Sequence, residues 1–256
     1  MKKILSTFIS ALIISTLFVG CESHPTKQEL AFKSIEGKTH SAVTPVSRND
    51  SWWMPRHEAV NARLKEGNVD LLYIGDSITH SFDNVGKAVW NKYYAPRNAV
   101  NMGFSGDRTQ HVLWRLDHSD FSNVKPKLAI IMIGTNNSNG RDNTAEEIAD
   151  GIITICQRLR TELPQTKILL LAIFPRNPRP SAQREKNAKA SLIASQIADG
   201  KMIYYLDIND KFLTADGELT RDIMSDYLHP GAKGYQIWAE AIEPTVAKML
   251  GEKQIK

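Results

Sequence analysis

Ser77 ends the stretch Val69-Asp70-Leu71-Leu72-Tyr73-Ile74-Gly75-Asp76-Ser77, and 152 residues later the chain supplies Asp226-Tyr227-Leu228-His229. A serine hydroxyl is a poor nucleophile at neutral pH until a histidine takes its proton during attack. His229 is the candidate base. Asp226, three residues earlier, is spaced to hold the imidazole in the required tautomer and to stabilise the imidazolium as it forms. The same spacing suits a carboxylate that only caps a turn, and alone it favours that reading. Attack on an ester builds negative charge on the carbonyl oxygen, where each donor fixed in advance is worth ~10²–10³ in rate. The backbone N–H groups of Ser77 and Gly106 and the side-chain amide of Asn136 are candidates for that cradle. Gly106 lies in Gly103-Phe104-Ser105-Gly106-Asp107 and Asn136 in Gly134-Thr135-Asn136-Asn137. A missing side chain lets the Gly106 backbone approach a substrate, although a tight turn requires glycine just as well. Asn136 by itself reads equally as a loop cap.

These segments matter only if something brings them together. Short apolar runs alternate with longer helical patterns, which is how a parallel sheet covered by helices is written. Strands are expected at Asp70–Ile74, Ala99–Met102, Leu128–Ile133, Ile168–Ile173 and Ile203–Leu206, and helices over Thr109–Leu116, Thr144–Leu163, Ala182–Ala198 and Gly234–Leu250. Thr144 followed by Glu147 has the form of a capping box. Ile148, Ile152, Ile155 and Leu159 then repeat on one helical face, with Cys156 beside them. In an open parallel sheet, ligands bind beyond the carboxyl ends of the strands. The Ser77, Gly106 and Asn136 motifs each follow a strand, and Asp226 to His229 precede the last helix.

Met1-Lys2-Lys3 and the apolar run that follows to Gly20 read as a signal peptide over residues 1–20, and Cys21 directly after it resembles the acylated cysteine of bacterial lipoproteins. An uncleaved anchor is the other reading of a run about as long as a short membrane helix. The expected location is therefore exported, on the bacterial cell envelope through an N-terminal lipid, or else periplasmic or secreted. Residues 21–50, polar and without sustained apolar period, are expected to form a flexible tether. Residues 51–256 then make one domain, long enough for one substantial core. Losing Lys2 and Lys3 lowers the formal charge from +4 by two, and nothing in the charge pattern calls for nucleic acid. With Cys21 acylated, Cys156 is a lone thiol, so no intrachain disulfide is expected; its reading is a small core residue.

Several residues near these motifs weigh less. Trp52 and Trp53 offer a sugar-stacking platform but more often such a pair covers a core, and Trp114 reads as packing. His80, three residues past Ser77, is a candidate pocket wall, with an ordinary polar residue on the following helix as the default reading. His111 beside Asp107 lacks the partners of a metal site. Asp76 more naturally shapes the backbone around Ser77 than moves a proton. The loop Phe174–Pro180 carries Arg176, Asn177 and Arg179; Arg176 and Asn177 are candidate substrate contacts at the rim, with solvated surface as the alternative.

Four separate signals in the order Ser, Gly, Asn, Asp-x-x-His resemble the four sequence blocks of the SGNH or GDSL hydrolases. The resemblance places that family's nucleophile at Ser77, its oxyanion donors at Ser77, Gly106 and Asn136, and its acid and base at Asp226 and His229. His111-Val112-Leu113-Trp114-Arg115-Leu116, Val124-Lys125-Pro126-Lys127, Asn143-Thr144-Ala145-Glu146-Glu147 and Arg184-Glu185-Lys186-Asn187-Ala188-Lys189 add a likeness to the catalytic subunits of platelet-activating factor acetylhydrolase. Bacterial exported carbohydrate acetylesterases are similar too, and suit the leader better. The resemblance implies an α/β, three-layer flavodoxin-like fold with a central parallel five-stranded sheet, no metal and no cofactor. It implies a serine esterase that removes short acyl groups, acetyl above all, from O-acetylated carbohydrate; oligomeric state stays open, with a homodimer as a candidate because the resembling acetylhydrolase subunits pair. A phospholipid acetylhydrolase, lipase or thioesterase, an acyltransferase, and a glycan-binding surface lipoprotein without activity are the alternatives.

Overall fold

A computed structural model describes residues 25–256. The expected signal peptide and Cys21 lie outside the described residues. In chain order the helices are α1 (Lys27–Ser34), α2 (Trp53–Lys65), α3 (Ser77–His80), α4 (Lys87–Tyr93), α5 (Thr109–Asp117), α6 (Ala145–Glu162), α7 (Ala182–Ala194) and α8 (Ala232–Leu250). The strands are β1 (Leu71–Gly75), β2 (Ala99–Gly103), β3 (Leu128–Met132), β4 (Lys167–Leu171) and β5 (Ile203–Leu206). They form one five-stranded sheet in the order β2-β1-β3-β4-β5, with every pairing parallel.

The central strands β1 and β3 are near-continuous apolar runs because both sheet faces are covered there. Every residue of β1 and β3 is buried. Alternate side chains sort into two cores. Leu72, Ile74, Ala129, Ile131, Ile168 and Leu170 pack with residues of α2, α5, α6 and α7. Leu71, Tyr73, Leu128, Ile130, Leu169 and Leu171 pack with Val89 and Tyr93 of α4 and with Trp238, Ile242 and Val246 of α8. At about 1.5–3 kcal/mol for each fully buried large apolar side chain, these two layers dominate the favourable side of folding. The capping box of α6 forms, with Glu147 N–H donating to Thr144 Oγ1 and Thr144 N–H to Glu147 Oε2. Cys156 is buried in α6 as a free thiol, and burial pushes that thiol up to about 12.

Residues 25–50 are not the free tether expected of them. They carry α1 and a short 3₁₀ turn at Ser41–Val43, and they lie along the domain. Gln28 donates to Ile197 O, and Lys38 Nζ and His40 Nε2 both reach Asp150 Oδ2, at 2.6 and 3.1 Å. Thr109 Oγ1 donates to the carbonyl of Ala42, a residue with no exposed surface. Asn143 donates to Ser41 Oγ and Val46 N–H to Gln110 O. The arm is held by polar groups supplied from remote parts of the chain. Such a segment has no apolar period of its own to betray it. Elsewhere boundaries move by a few residues, with β4 ending at Leu171 and α7 passing into a 3₁₀ turn after Ala194, and helices α2, α3 and α4 form outside the expected helical spans.

The sheet order reverses between β1 and β3, the place where loops diverge and leave a crevice. Ser77 and Asn136 follow those two strands. The end of β2 presses against the short helix that carries Ser77: a Cβ on Gly103 would lie 2.3 Å from the backbone nitrogen of His80. Gly103→Ala is therefore expected to lower stability by about 1–3 kcal/mol, read as a reduced urea midpoint at unchanged m-value.

Candidate active site

Ser77 is the first residue of α3, and the turn that delivers it is closely fitted. Gly75 ends β1 where a Cβ would lie 2.2 Å from Thr79 Oγ1 and 2.5 Å from the carbonyl oxygen of Met132, so no side chain fits there. Asp76 caps the helix: its Oδ1 accepts the N–H of Ile78 at 3.0 Å. Tyr235 of α8 donates to Ile78 O at 2.7 Å, which ties this helix to the last one. Ser77 is thus held at the carboxyl edge by both neighbouring layers.

The Oγ of Ser77 stands 2.8 Å from His229 Nε2, and His229 Nδ1 stands 2.7 Å from Asp226 Oδ2. A carboxylate beside Nδ1 selects the tautomer with the proton there, which leaves the Nε2 lone pair facing the serine hydroxyl. The other carboxylate oxygen of Asp226 accepts the backbone N–H groups of Leu228 and His229, at 3.0 and 2.8 Å. The turn-capping and imidazole-orienting readings of Asp-x-x-His are therefore both true, one for each oxygen. Partial burial would raise the Asp226 carboxyl, but the hydrogen bonds from the His229 side chain and from the backbone outweigh it and leave it below its ordinary value.

Gly106 has φ +78° and Asp107 N–H bonds Phe104 O, so Phe104 to Asp107 make a tight turn at the end of β2. The N–H groups of Ser77 and Gly106 have no acceptor among the described residues. Asn136 uses one amide hydrogen on the carbonyl of Asp107 at 2.9 Å, and the second has no acceptor among the described residues. The segments thus bring together a hydroxyl, an imidazole and a carboxylate in one chain of hydrogen bonds, and the Asn136 amide is bonded to the loop that carries Gly106. Among the described residues no group of three His, Cys, Asp or Glu side chains is placed to hold a metal ion.

Arg176 and Asn177, the candidate substrate contacts, are both tied into the protein, and Arg176 lies near Asp76 and Asp226. Arg176 Nη1 donates to Thr135 O and Asn139 Oδ1, both at 3.1 Å. Asn177, left-handed at φ +65°, donates its side chain to Ser181 Oγ and its backbone N–H to Tyr227 O, which is itself left-handed at φ +58°. Arg184 donates to the carbonyls of Arg176 and Asn177. Asn177 thus braces the loop bearing Asp226 and His229, and its amide is already engaged within the protein. His80 accepts the N–H of Ser105 on Nδ1, and burial, with Arg56 nearby, pushes it down to about 4. His111 accepts the N–H of Arg108 on Nδ1, a helix-capping role. Trp53 is fully buried, whereas Trp52 is 37% exposed, with its ring 5.7 Å from that of His80.

Three residues that position the site escaped the sequence reading. Asn137 is buried, accepts the N–H of Thr109, and donates to Thr109 Oγ1, Gln110 Oε1 and Asn143 Oδ1; the doubled asparagine was the only signal. Arg115 and Arg48 both donate to the fully buried carboxylate of Asp107, Arg115 Nε at 2.8 Å and Arg48 Nη1 at 3.2 Å. An arginine on an amphipathic helix and one in a polar segment look like ordinary surface charges until the fold turns them inward.

Residues 73–237 match the model of the GDSL-like Lipase/Acylhydrolase family. The chain is 33% identical to Platelet-activating factor acetylhydrolase IB subunit alpha2 of Homo sapiens over 222 residues, 85% of this chain and 95% of that protein. The alpha1 subunit of Bos taurus is 32% identical over 84% of this chain and 91% of its own length. Among solved structures, the carbohydrate acetylesterase Est24 from Sinorhizobium meliloti superposes with a TM-score of 0.57 at 21% identity, covering 71% of this chain and 100% of that one. A catalytic mutant of Axe2, an acetylxylan esterase from Geobacillus stearothermophilus, superposes at 0.55 and 18% identity over 74% of this chain and 97% of that one. These two likenesses concern the fold.

One group beside Ser77 has a measurable consequence. Asp76 is fully buried, and its Oδ2 has no partner among the described residues. Burial, opposed by the Ile78 N–H bond and by His229 and reinforced by Asp107, pushes its carboxyl up to about 7. An unfolded aspartate ionises near 4, so from about pH 4 to about pH 7 the native state holds a proton that the unfolded state has lost, and stability falls as pH rises. Asp76→Asn retains the oxygen that caps Ile78 and has no proton to lose. Its melting temperature relative to the wild type should rise from about pH 5 to about pH 7 and level off above that, and a constant difference would show that Asp76 is already ionised.

Proposed function

The chain belongs to the GDSL-like lipase/acylhydrolase family and is a carboxylic ester hydrolase; from that premise we propose that it hydrolyses short acyl esters, acetyl above all, on O-acetylated carbohydrate through an acyl-Ser77 intermediate. The observation that carries the reading is the continuous hydrogen-bonded series from Ser77 Oγ through His229 to Asp226. Ser77 Oγ attacks the ester carbonyl while Nε2 of His229 takes its proton, and Asp226 stabilises the resulting imidazolium. The N–H groups of Ser77 and Gly106 and the free amide hydrogen of Asn136 receive the oxyanion. The tetrahedral species collapses, the C–O bond to the alcohol breaks, and His229 returns the proton to the leaving oxygen. Water, deprotonated by His229, then attacks the acyl-serine and releases the carboxylic acid and free Ser77.

Acetyl specificity rests on the relatives of about one-third identity, which are named acetylhydrolases. The carbohydrate half rests on Trp52, whose partly exposed indole adjoins His80, itself bonded to Ser105 in the Gly106 turn. A flat aromatic surface beside the site suits the apolar face of a pyranose. We also place the enzyme outside the cytosol, on the strength of the residue 1–20 leader, with Cys21 as a lipid anchor. A second reading, an acetyl ester of a phospholipid, is favoured by the names of those same relatives.

Ser77→Ala should fall in kcat by at least ~10⁴-fold on an aryl acetate, with an unchanged melting temperature; retained turnover would refute the mechanism. With the wild-type protein, kcat/KM should drop from acetyl to butyryl to octanoyl esters. Acetate release from acetylated xylan oligosaccharides should exceed that from an acetyl phospholipid, and the reverse order would select the second reading.

A further inference from the structure

We propose that Arg48, on the N-terminal arm, is a positioning residue for the oxyanion site: it fixes the orientation of the Ser105–Gly106 peptide so that the Gly106 N–H faces the reacting ester. The inference rests on the serine-esterase mechanism above and extends it to a segment outside residues 73–237, which the family model matches.

The carbonyl of Ser105 and the N–H of Gly106 belong to one peptide unit. That unit is planar and trans, so the two groups point in opposite directions, and whatever grips the oxygen aims the hydrogen. Arg48 Nη1 donates to Ser105 O at 2.6 Å. The turn Phe104 to Asp107 is closed by the Asp107 N–H bond to Phe104 O, and Gly106 at its third position has the φ of +78° that a type II turn requires. With glycine there, the type I arrangement is also sterically open. The two differ by rotation of the central peptide plane, and that rotation would exchange the Gly106 N–H for the Ser105 carbonyl oxygen. A carbonyl aimed at a developing oxyanion repels it.

The rest of the turn does not decide between these orientations. His80 accepts the N–H of Ser105, and Asn136 donates to Asp107 O, one on each side of the central peptide. Arg48 is the contact made to that peptide itself. The arginine is in turn held: Nη1 also reaches Asp107 Oδ1 at 3.2 Å, Nε donates to Asp50 Oδ2 at 3.0 Å, and the guanidinium lies 5.7 Å from the Trp52 ring. Its Nη1 would sit 2.9 Å from a Cβ on Gly106, so it packs directly against the turn. A cationic donor on the carbonyl also polarises the amide and strengthens its N–H as a donor. The anchoring of the arm at Asp150, Thr109 and Asn143 thereby reaches the site through Arg48.

The test uses the full chain and four variants, Arg48→Ala, Arg48→Lys, Arg48→Gln and Ser77→Ala, each checked for its melting transition. Arg48→Ala should lower kcat on an aryl acetate by ~10–100-fold, a part of what loss of a whole oxyanion donor costs. Its KM should stay within about threefold, since the interaction belongs to the transition state. Inhibition by an arylboronic acid, which forms a tetrahedral anion on the serine, should weaken by the same factor as kcat. Arg48→Lys should recover more kcat than Arg48→Gln, and this pair decides the matter if Arg48→Ala does not fold. A kcat within about twofold of wild type in Arg48→Ala or Arg48→Gln overturns the inference, as does a loss confined to KM or an unchanged boronate affinity. An inactive Ser77→Ala beside fully active Arg48 variants sinks this inference alone; an active Ser77→Ala sinks it together with the mechanism.

Discussion

The carboxylate of Asp107 is fully buried, and Arg115, Trp53 and Arg48 all donate hydrogen bonds to it. Removing one partner from a buried charge pair costs about 3–5 kcal/mol because the charge that remains has no water to turn to. Four segments are therefore bound to meet at one point: the arm through Arg48, α2 through Trp53, α5 through Arg115, and the Gly106 turn through Asp107 itself. Arg115 also lies 4.0 Å over the Phe104 ring and reaches the carbonyl of Gly75 at 3.4 Å. The ends of β1 and β2 are thereby referenced to the same ion pair. Ser77 follows one of those strands and Gly106 the other.

The sheet supplies the second fixed frame. Parallel strands deliver Ser77, Gly106 and Asn136 to the same edge, and the reversal of strand order between β1 and β3 opens the crevice. Asp226 and His229 arrive from the far end of the chain on a loop with little regular structure. That loop is made stiff by other means. Asp226 caps it from within, Asn177 grips the carbonyl of Tyr227 from outside, and Arg184 holds the carbonyl of Asn177 in turn. A loop braced at three levels can hold an imidazole against a serine without a helix or strand beneath it.

Polar residues in this protein thus divide by what surrounds them more than by type. Arg48 and Arg179 are both arginines in irregular segments. The first is drawn onto a buried carboxylate and a turn carbonyl, while the second is largely exposed and pairs with Glu218 at the surface. Asn136 and Asn137 are adjacent, yet one keeps an amide hydrogen free beside the site and the other is wholly engaged in joining α5 to the Asn143 loop.

The amino-acid sequence determines by itself the alternation of strands and helices, the capping of α6 and the candidate quartet of Ser77, Gly106, Asn136 and Asp226-x-x-His229. Apolar period and turn chemistry are local properties, and four short motifs at strand ends make a signal that no single one carries. Its limits appear where a role is assigned by distant partners. The arm from residue 25 to residue 50 has too few apolar positions to announce that it folds, and the groups that hold it, Asp150, Thr109 and Asn143, lie far along the chain, with separations of 112, 67 and 102 for the three contacts. The inward turn of Arg48 and Arg115, the bracing part of Asn177 and the difference between Trp52 and Trp53 were decided only by the tertiary structure. Whether a charge is solvated or buried depends on which surfaces the folded chain brings against it, and that is a property of the whole packing, not of any window of residues.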